Sequence, residues 1–472
     1  MSAATVLCVD LDGSLVRTDL LQEAALLLAM RAPEDLFRLP VWLARGKAFL
    51  KGRIAERVAP QAALLPYNEE LLAWLVEQRE TGRRMVLCTA SDRRYAEGVA
   101  EHLGLFDEVL ASDGATNLAG SRKADVLVER YGRGGFDYVG NARADLPVWE
   151  AARRAVVVGD TALRDAAGRV AEVERSFAAQ RSGLRAWVKG LRLHQWLKNL
   201  LLLLPLLGAH RWADVPAWSL VAAAFVSFGC CASGVYLVND LFDLENDRRH
   251  PRKRLRPLAS GRISIPAAMT AAALLFTGAF VLAVKVSPAF TGWLLAYLVL
   301  TKMYTLVLKK TALVDCLALA GLYTLRVVAG GAAIDQPVSF WLLAFSLFLF
   351  LSLAYVKRYA ELVSILAAGG SGARGRGYHT DDRQLLQSFG VASGFASALV
   401  LALYLNSDAV LRLYSHPDRL WFTLPILLFW ISWMWLRASR GQMHDDPVLF
   451  AVKDRASVAA GAAFLVAIWA AH

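Results

Sequence analysis

The chain has 472 residues, of which 56% are hydrophobic and 20% are charged, and its formal net charge is +11. This length predicts two or three domains. The cations are concentrated in short loops between apolar runs, which argues against a nucleic-acid-binding protein. The five cysteines have no metal-ligand spacing, so we expect them to be ordinary reduced core residues.

The first predicted element is a short apolar strand, residues 6–9, that is followed by Asp10, Asp12 and Gly13. Two carboxylates at i and i+2 after a strand point the same way, so they could hold Mg²⁺ together while one of them attacks a substrate. The apolar run ends too soon, at Asp10, to be a cleavable signal sequence. Two aspartates at this spacing are a weak signal by themselves, so further motifs have to support them.

Three later segments carry polar residues at the ends of predicted elements. They are Thr89 after the apolar run 86–88, Lys123 after a glycine turn, and Asn141 with Asp145 after the run 136–140. Together with the two aspartates, these segments resemble the four motifs of the haloacid dehalogenase superfamily, in the family's order. The resemblance implies an α/β domain with a doubly wound parallel sheet and a helical cap at about residues 18–80.

The resemblance also implies a role for each motif residue. Asp10 would be the nucleophile that forms an aspartyl-phosphate, and Asp12 would be the general acid and base. Thr89 and Lys123 would hold the phosphoryl oxygens, because positive charge offsets the charge that carboxylates and a phosphate bring together. The implied Mg²⁺ ligands are Asp10, Asp12, Asn141 and Asp145.

Asn141 departs from the family's pattern, because the family has an aspartate at this position. An amide oxygen can coordinate Mg²⁺ without charge, so we expect a lower affinity for the metal. Two possibilities stay open for this domain: a working phosphotransfer site and a degenerate scaffold.

The end of the N-terminal region predicts further elements and a boundary. Weak strands are expected at 106–110 and 155–158, and a charged helix at 169–188. Tryptophans among basic residues then predict an interfacial linker, 181–198, along a membrane surface. The sequence therefore divides into an N-terminal domain, 1–180, the linker, and a membrane domain, 199–472.

From about residue 197, long apolar runs alternate with basic loops. Stretches of about 20 apolar residues are typical of transmembrane helices. We expect nine of these helices, or eight because the first and last runs are weak, centred near residues 205, 228, 275, 298, 322, 348, 397, 428 and 463. This predicts an all-α polytopic membrane bundle.

The basic loops lie on one side of the membrane in the nine-helix arrangement. By the positive-inside rule, those loops and the N-terminal domain are predicted to be cytoplasmic, in a plasma (inner) membrane protein. The loop cations include Arg248, Arg249, Arg252, Lys253, Arg254, Arg256, Lys309, Lys310, Arg374, Arg376, Arg437 and Arg440.

An acidic motif directly follows the apolar run 221–238, and it consists of Asn239, Asp240, Asp243 and Asp247. On a helix, this spacing stacks oxygen side chains along one face. Such carboxylates repel one another unless a cation binds between them, and hard oxygen ligands suit Mg²⁺ that is shared with substrate phosphates. The alternative is a solvated acidic helix end that balances the arginines after it.

The motif Asn-Asp-x-x-Asp-x-x-x-Asp resembles the first signature of the UbiA superfamily of intramembrane prenyltransferases, which implies Mg²⁺ carrying a diphosphate. Four segments resemble one branch of that family, the decaprenyl-phosphate phosphoribosyltransferases: 194–199, 247–257, 325–331 and 357–362. The resemblance covers about residues 190–472. It implies transfer of 5-phosphoribosyl from phosphoribosyl diphosphate to a polyprenyl phosphate, with Asp240 and Asp243 as catalytic residues.

Cationic residues of the membrane domain are the candidates for binding substrate phosphates. The wider family has a second acidic motif where this chain has 357–361, Lys-Arg-Tyr-Ala-Glu, which favours phosphate binding over metal binding there. Arg326 lies inside a predicted span, where an unpaired charge is costly and therefore a functional candidate. The candidates are Lys198, Arg254, Lys309, Arg326, Lys357, Arg358 and Tyr359.

Three of these predictions have alternatives. Asp315 could simply be the ion-pair partner of Arg326, and Lys309 could extend to the membrane surface without binding a phosphate. The glycine-rich loop 369–377 could be a lid or a connector.

Three functions compete on the sequence alone. The favoured one is the phosphoribosyl transfer, after which the N-terminal domain would remove the 5-phosphate of the product. A prenyltransferase that joins a prenyl diphosphate to an aromatic acceptor would need the second acidic motif. A transporter with a regulatory soluble domain would predict internal repeats, and none is evident. A homo-oligomer is compatible with each function.

Overall fold

The computed structural model describes residues 5–178, 183–372, 376–443 and 446–472, without the side chains of 409, 411 and 412. The chain forms two compact units. The first unit comprises Met1–Leu191 and Tyr236–Ala273, and the second comprises Arg192–Val235 and Leu274–His472. The segment that carries the acidic motif therefore groups with the N-terminal region. Residues 373–375 of the glycine-rich loop lie outside the described residues.

The first unit is built on a six-stranded, all-parallel sheet of order β3-β2-β1-β4-β5-β6. β1 lies inside the sheet, so its apolar residues 7–9 are fully buried, as expected for a strand with covered faces. The predicted doubly wound α/β fold is confirmed. The strands are β1 (Val6–Val9), β2 (Met85–Asp92), β3 (Glu108–Ser112), β4 (Phe136–Gly140), β5 (Arg154–Gly159) and β6 (Glu172–Ala178).

Nine helices of the first unit accompany these strands. Four lie between β1 and β2, in the region that predicts a cap. The helices are α1 (Leu20–Arg31), α2 (Leu39–Ala44), α3 (Lys47–Ala55), α4 (Glu69–Glu80), α5 (Arg93–Leu103), α6 (Ser121–Tyr131), α7 (Leu146–Ala151), α8 (Thr161–Gly168) and α9 (Leu184–Gly190).

The predicted charged helix at 169–188 is wrong for its first half, because that half is strand β6. β6 pairs with β5 at the edge of the sheet, where only one flank has a neighbour. Most of its side chains are exposed, while Phe177 is buried. An edge strand tolerates this many charges, and their density had favoured a helix.

The remaining elements are helical, and they agree with the predicted all-α membrane bundle. They are α10 (Leu204–Gly208), α11 (Val215–Phe242), α12 (Leu244–Arg249), α13 (Ile265–Val286), α14 (Pro288–Leu306), α15 (Val314–Ala333), α16 (Phe340–Ala367), α17 (Arg383–Leu405), α18 (Asp408–Leu413), α19 (Thr423–Ser439), α20 (Pro447–Lys453) and α21 (Arg455–Ala471).

Within the described ranges, seven helices are long and apolar enough to cross a membrane, or eight if α20 and α21 form one span bent by 83°. The expected number of nine was therefore approximate. The first predicted span, near residue 205, is a 3₁₀ helix, Leu193–Leu203, followed by the short α10.

The 3₁₀ segment packs closely against α11 in the second unit. Trp196 Nε1 donates a hydrogen bond to Ser233 Oγ at 3.0 Å. Its indole ring also lies over Gly229, where an added Cβ would come within 2.6 Å of the ring. A glycine on α11 therefore lets an aromatic side chain reach the helix backbone.

The acidic motif does not form one uninterrupted helix. α11 ends at Phe242, and Asp243 is the N-cap of α12 with φ −93° and ψ 9°. Helical backbone hydrogen bonds still run from the Asp243 amide to the Asn239 carbonyl at 2.9 Å and from the Asp247 amide to the Asp243 carbonyl at 2.8 Å. The four-residue spacing of the motif is therefore kept, and a shared face of Asn239, Asp243 and Asp247 stays a prediction.

Candidate functional site

The first polar cluster lies at the carboxyl edge of the sheet in the first unit, directly after β1. Asp10 is 7% exposed, and Lys123 Nζ donates to its Oδ1 at 2.7 Å. The same ammonium donates to the Tyr138 hydroxyl at 2.8 Å, and Ser14 Oγ donates to Asp10 Oδ2 at 3.2 Å. The predicted nucleophile therefore contacts the predicted phosphate-binding lysine, although the two are far apart in sequence.

Asp12 is held by groups from two elements. Its Oδ1 accepts from the Leu20 amide at 2.8 Å, at the start of α1. Its Oδ2 accepts from Ser91 Oγ at 2.6 Å and from Thr89 Oγ1 at 3.3 Å. Sequence reasoning proposed Thr89 and missed Ser91, although residues i and i+2 of a strand share a face and the spacing could have indicated it.

Burial shifts the acidity of this cluster. It raises the pKa of Asp10 to about 6, and the charge of Lys123 works in the opposite direction. Burial and then the charge of Asp19 raise the pKa of Asp12. Burial lowers the pKa of Lys51, whose Nζ donates to the Ala90 carbonyl at 2.6 Å. Lys51 comes from α3, so the predicted cap region supplies a cation that the motifs did not reveal.

Two of the predicted Mg²⁺ ligands of this cluster accept hydrogen bonds from protein groups. Asp145 Oδ1 accepts from the Tyr138 hydroxyl at 3.0 Å, and its Oδ2 accepts from the Asn141 and Ala142 amides at 3.0 Å. Both carboxylate oxygens of Asp12 are also engaged by hydrogen bonds. Two of the four predicted ligands therefore also accept hydrogen bonds from protein donors, and Asn141 brings no charge, so this donor set fits a divalent cation less well than a set with an aspartate at position 141 would.

The second polar cluster, also in the first unit, is an acidic pair that is joined by an arginine. Arg256 Nη1 donates to Asp240 Oδ1 at 3.1 Å and to Asp247 Oδ2 at 2.6 Å. Both carboxylates are buried, at 5% and 2% exposure. Asp240 and Asp247 are about two helical turns apart, so a helical spacing brings both acids to one cationic nitrogen. Sequence reasoning had not assigned Arg256 to the site.

This acidic pair fits a divalent cation better than the first cluster does. Two hard carboxylate ligands already meet at a single positive charge, and Mg²⁺ commonly binds one or two carboxylates together with waters and substrate phosphates. Among residues 5–178, 183–372, 376–443 and 446–472, no three His, Cys, Asp or Glu side chains come together to hold a metal. Asp240 and Asp247 would therefore hold Mg²⁺, and substrate oxygens would complete its shell.

The third polar cluster lies in the second unit and is cationic. Lys198 Nζ and Lys357 Nζ both donate to Asp446 Oδ2, at 2.8 Å and 3.0 Å. The Tyr323 hydroxyl donates to Asp446 Oδ1 at 3.3 Å, and Lys198 lies over the Tyr323 ring. Two candidate lysines from distant segments thus meet at one carboxylate. Asp446 gave no sequence signal, because it belongs to no recognised motif.

Arg326 is buried beside this cluster and makes polar contacts of its own. Its Nε donates to Asn199 Oδ1 at 3.2 Å, and its Nη1 donates to the Leu322 carbonyl at 2.6 Å. Its guanidinium also lies 4.8 Å from the centre of the Tyr297 ring. Asn199 is 1% exposed, and its Nδ2 has no hydrogen-bond partner among the described residues. A buried donor without an acceptor indicates a place for a ligand oxygen.

Arg358 belongs to a different network, which corrects the suggested pairing of Arg326 with Asp315. Arg358 Nε donates to Asp315, and its Nη1 donates to Glu361 Oε2 at 2.6 Å. The Tyr378 hydroxyl donates to the same Asp315. Arg358 is 1% exposed and balanced by two carboxylates, so its expected role changes from phosphate binding to anchoring the chain near Tyr378.

The other candidates lie in varied surroundings. Tyr359 is buried and packs edge-on against Trp435 at 5.8 Å between ring centres, so it is a core residue. Arg254 is exposed on a 3₁₀ turn, Lys253–Leu255. Lys309 is half-buried on another turn, Leu308–Lys310.

Comparison with known families gives two matches along the chain. Residues 7–150 match the model of the haloacid dehalogenase-like hydrolases, and residues 202–453 match that of the UbiA prenyltransferase family. The matched regions contain the four motifs of the N-terminal half and the acidic motif 239–247 of the membrane half, whereas the segment 194–199 lies just before the second match.

Three relatives cover different parts of the chain. The uncharacterized protein y4nM of Sinorhizobium fredii is 37% identical over 459 residues, which are 96% of this chain and 88% of the relative. The nodulation protein NoeC of Azorhizobium caulinodans is 33% identical over 278 residues, which are 58% of this chain and 88% of the relative. The decaprenyl-phosphate phosphoribosyltransferase of Mycobacterium tuberculosis is 39% identical over 179 residues, which are 37% of this chain and 59% of the relative.

Proposed function

Because the chain belongs to the UbiA prenyltransferase family and carries a haloacid dehalogenase-like hydrolase domain before it, we propose that it is a Mg²⁺-dependent phosphoribosyltransferase. It transfers 5-phosphoribosyl from phosphoribosyl diphosphate to a polyprenyl phosphate. The similarity to decaprenyl-phosphate phosphoribosyltransferases over 37% of the chain supports this pair of substrates.

The cationic cluster is the observation that carries this proposal. Lys198 and Lys357 share the single carboxylate of Asp446, so the three side chains keep an excess of positive charge. Arg326 and the unpaired amide of Asn199 add donors. A phosphate group matches such donors, whereas an uncharged aromatic acceptor would leave buried cations without compensation. In this proposal the lipid phosphate binds to the cationic cluster and replaces Asp446 as the acceptor of hydrogen bonds from Lys198 and Lys357.

The acidic pair serves the diphosphate of the other substrate. When bound, Mg²⁺ supplies positive charge that neutralises the leaving diphosphate. Asp240 and Asp247 hold the cation, and Arg256, which balances both acids, donates to diphosphate oxygens. A lipid phosphate oxygen attacks the anomeric carbon of the ribose, and the bond from that carbon to the diphosphate oxygen breaks. The electron pair leaves with the diphosphate, so the step needs no proton transfer.

A direct assay separates this function from ordinary prenyl transfer. Membranes that contain the full chain are incubated with Mg²⁺ and either labelled phosphoribosyl diphosphate plus decaprenyl phosphate, or a prenyl diphosphate plus an aromatic acceptor. Mass spectrometry of the lipid extract should find phosphoribosylated lipid in the first reaction. A prenylated acceptor with no ribosylated lipid would contradict the proposal.

The hydrolase-like domain supports a second activity, removal of the 5-phosphate from the transferase product. The favouring observation is that Asp10, Asp12, Thr89 and Lys123 converge at one sheet edge, with Lys123 2.7 Å from the expected nucleophile. Asp10 would attack the phosphorus, and the bond to the ribose oxygen would break as that oxygen leaves with a proton from Asp12. Water, giving its proton to Asp12, would then cleave the aspartyl-phosphate, release phosphate and restore both carboxyl groups. The ammonium of Lys123 would offset the charge of the phosphoryl oxygens.

Two variants of the full chain test the second activity. Asp10→Asn should let the 5-phosphorylated lipid accumulate while transfer continues. Asn141→Asp restores a charged ligand and should speed dephosphorylation in the presence of Mg²⁺. If the wild-type chain forms only the phosphorylated lipid and neither variant changes the product, the domain is a scaffold.

A further inference from the structure

A buried ion pair within the first unit joins α1 to the segment that carries the acidic pair. Arg248 Nη2 donates to Glu23 Oε1 at 2.6 Å, and Nη1 donates to Glu23 Oε2 at 3.0 Å. The side chains are only 6% and 4% exposed. Arg248 Nε also donates to the Ala259 carbonyl at 3.0 Å. The guanidinium therefore holds α1, α12 and the loop after α12 together.

Apolar packing surrounds the ion pair. Leu26, one turn after Glu23 on α1, packs against a buried cluster that includes Leu241, Leu244 and Ala259. Gly261 lies so close to the residues before α1 that an added Cβ would be 2.9 Å from Arg17 Cβ. The surface between α1 and the segment 241–268 is thus a close-packed interface with a bidentate ion pair inside it.

The ion pair is adjacent to the acidic pair along the chain. Asp247 directly precedes Arg248 on α12, and it is the acid that Arg256 holds at 2.6 Å. α12 has only six residues and is joined to α11 through a single non-helical residue, Asp243, so a side-chain contact on α12 adds to the constraint on its orientation. The contact of Arg248 with Glu23 supplies a fixed point one residue from the carboxylate.

α1 also begins at the other polar cluster. The Leu20 amide, at its first residue, donates to Asp12 at 2.8 Å, and Glu23 lies one turn further along. One helix therefore contacts both the general acid of the hydrolase-like site and the arginine beside the acidic pair.

We propose that α1 is a positioning element of the transferase site: Glu23, acting through Arg248, holds α12 so that Asp247 can share a cation with Asp240. The N-terminal domain then contributes to the transfer reaction whether or not it hydrolyses a phosphate. The inference rests on the proposed transferase function and is independent of the second activity.

The test compares two ion pairs that join the same two helices. Glu23→Gln removes one charge of the buried pair and leaves Arg248 without compensation. Arg31→Gln is the matched control, because Arg31 and Glu245 also join α1 to α12 but are 48% and 27% exposed. The transfer rate of the full chain in membranes is measured in two series. In the first series Mg²⁺ is varied at fixed concentrations of both substrates, and in the second polyprenyl phosphate is varied at a fixed Mg²⁺ concentration.

For Glu23→Gln, we expect the Mg²⁺ concentration at half-maximal rate to rise at least about tenfold, because the pair is a bidentate, charge-assisted contact. The KM for polyprenyl phosphate should stay unchanged, since the cationic cluster is intact. High Mg²⁺ should restore much of the rate, which a merely misfolded chain would not show. Arg31→Gln should behave like the wild-type chain, because an exposed pair contributes little.

Two outcomes distinguish this inference from the proposed function. If the wild-type chain transfers no phosphoribosyl group, the proposed function fails. If the wild-type chain is active and Glu23→Gln keeps its Mg²⁺ dependence, the positioning role is wrong. If Glu23→Gln does not fold, Arg248→Lys replaces it, because a lysine keeps the charge but loses the bidentate geometry. An unchanged Mg²⁺ dependence for that variant would equally overturn the inference.

Discussion

Neighbouring side chains of α16 show that charge pairing decides which cations can serve a substrate. The Lys357 side chain is 36% exposed and shares one carboxylate with Lys198, whereas the Arg358 side chain is 2% exposed and meets two carboxylates. A cation that is already neutralised gains little from a phosphate and loses its structural contacts by moving. We therefore assign substrate binding to Lys357 and a structural role to Arg358.

The first prediction concerns Lys357. Lys357→Gln should raise the KM for polyprenyl phosphate by about tenfold to 100-fold, because a charge-assisted hydrogen bond contributes about 1.5–3 kcal/mol. The KM is measured from the rate of phosphoribosyl transfer at saturating phosphoribosyl diphosphate. Lys310→Gln is the control, since Lys310 is exposed on a turn. If both variants have the same KM, Lys357 does not bind the lipid phosphate, and its charge serves only to orient the chain in the membrane.

The second prediction concerns the pH dependence of dephosphorylation. Burial raises the pKa of Asp10 to about 6, and only the ionised carboxylate attacks phosphorus. The rate should therefore fall about tenfold for each pH unit below 6 and level off above it. Phosphate release from the 5-phosphorylated lipid is followed between about pH 4.5 and 8. Lys123→Met should move the midpoint upward, because the ammonium that favours the carboxylate is gone. A midpoint near the ordinary value of about 4 would contradict the assignment of Asp10.

At the scale of the element, the 3₁₀ segment Leu193–Leu203 carries functional residues on an unusual backbone. It carries Lys198 and Asn199 in the second unit. Its Trp196 side chain lies against Gly229 of α11, and its Leu202 backbone lies against Gly330 of α15. A long α-helix was expected here from the apolar composition. The close approach to glycine positions on two neighbouring helices is possible only after those helices have packed.

The third prediction tests that close approach. A Cβ at Gly330 on α15 would lie 2.2 Å from the Leu202 carbonyl oxygen. Gly330→Ala should therefore lower the free energy of unfolding by about 1–3 kcal/mol, as overpacking does. It should also slow the transfer reaction, because the segment that carries Lys198 has to shift.

Thermal unfolding in detergent and the transfer rate check this prediction. Gly461→Ala on α21 is the matched control, since nothing lies within 4 Å of a Cβ there. If the two alanine variants unfold at the same temperature, the packing of the 3₁₀ segment does not depend on Gly330.

At the scale of the whole molecule, the expected orientation rests on the distribution of charge. The basic loops alternate along the chain with loops that carry few cations. The loop that follows α12 belongs to the same compact unit as the N-terminal domain. We therefore expect that domain and the basic loops to be cytoplasmic in an inner-membrane protein.

The fourth prediction tests this orientation at the two ends of one helix. Asp418 and Arg440 are both exposed, before and after α19. In intact cells, a membrane-impermeant thiol reagent should label Asp418→Cys, and it should label Arg440→Cys only after the membrane is permeabilised. The wild-type chain gives the background from its own cysteines. The reverse labelling pattern would place the N-terminal domain outside.

Both families, the parallel sheet and the helical bundle were predictable from the amino-acid sequence alone. Short apolar runs that lead to Asp10 or Thr89, and long apolar runs, are local patterns, so they indicate buried strands and helices before any tertiary contact is known. The acidic motif 239–247 also lies within a short stretch of sequence, so Asp240 and Asp247 could be identified from their spacing. The charged edge strand β6 was missed, because an exposed strand lacks that periodic signal.

The pairing of buried charges, in contrast, became known from the three-dimensional fold. Asp446 joins Lys198 and Lys357 across long separations in sequence, Asp315 pairs with Arg358 and not with Arg326, and Arg248 finds Glu23 in the N-terminal domain. A buried ion has to be compensated by whichever opposite charge the packed helices bring within reach. That choice depends on the arrangement of distant elements, so no local pattern in the sequence could have fixed it.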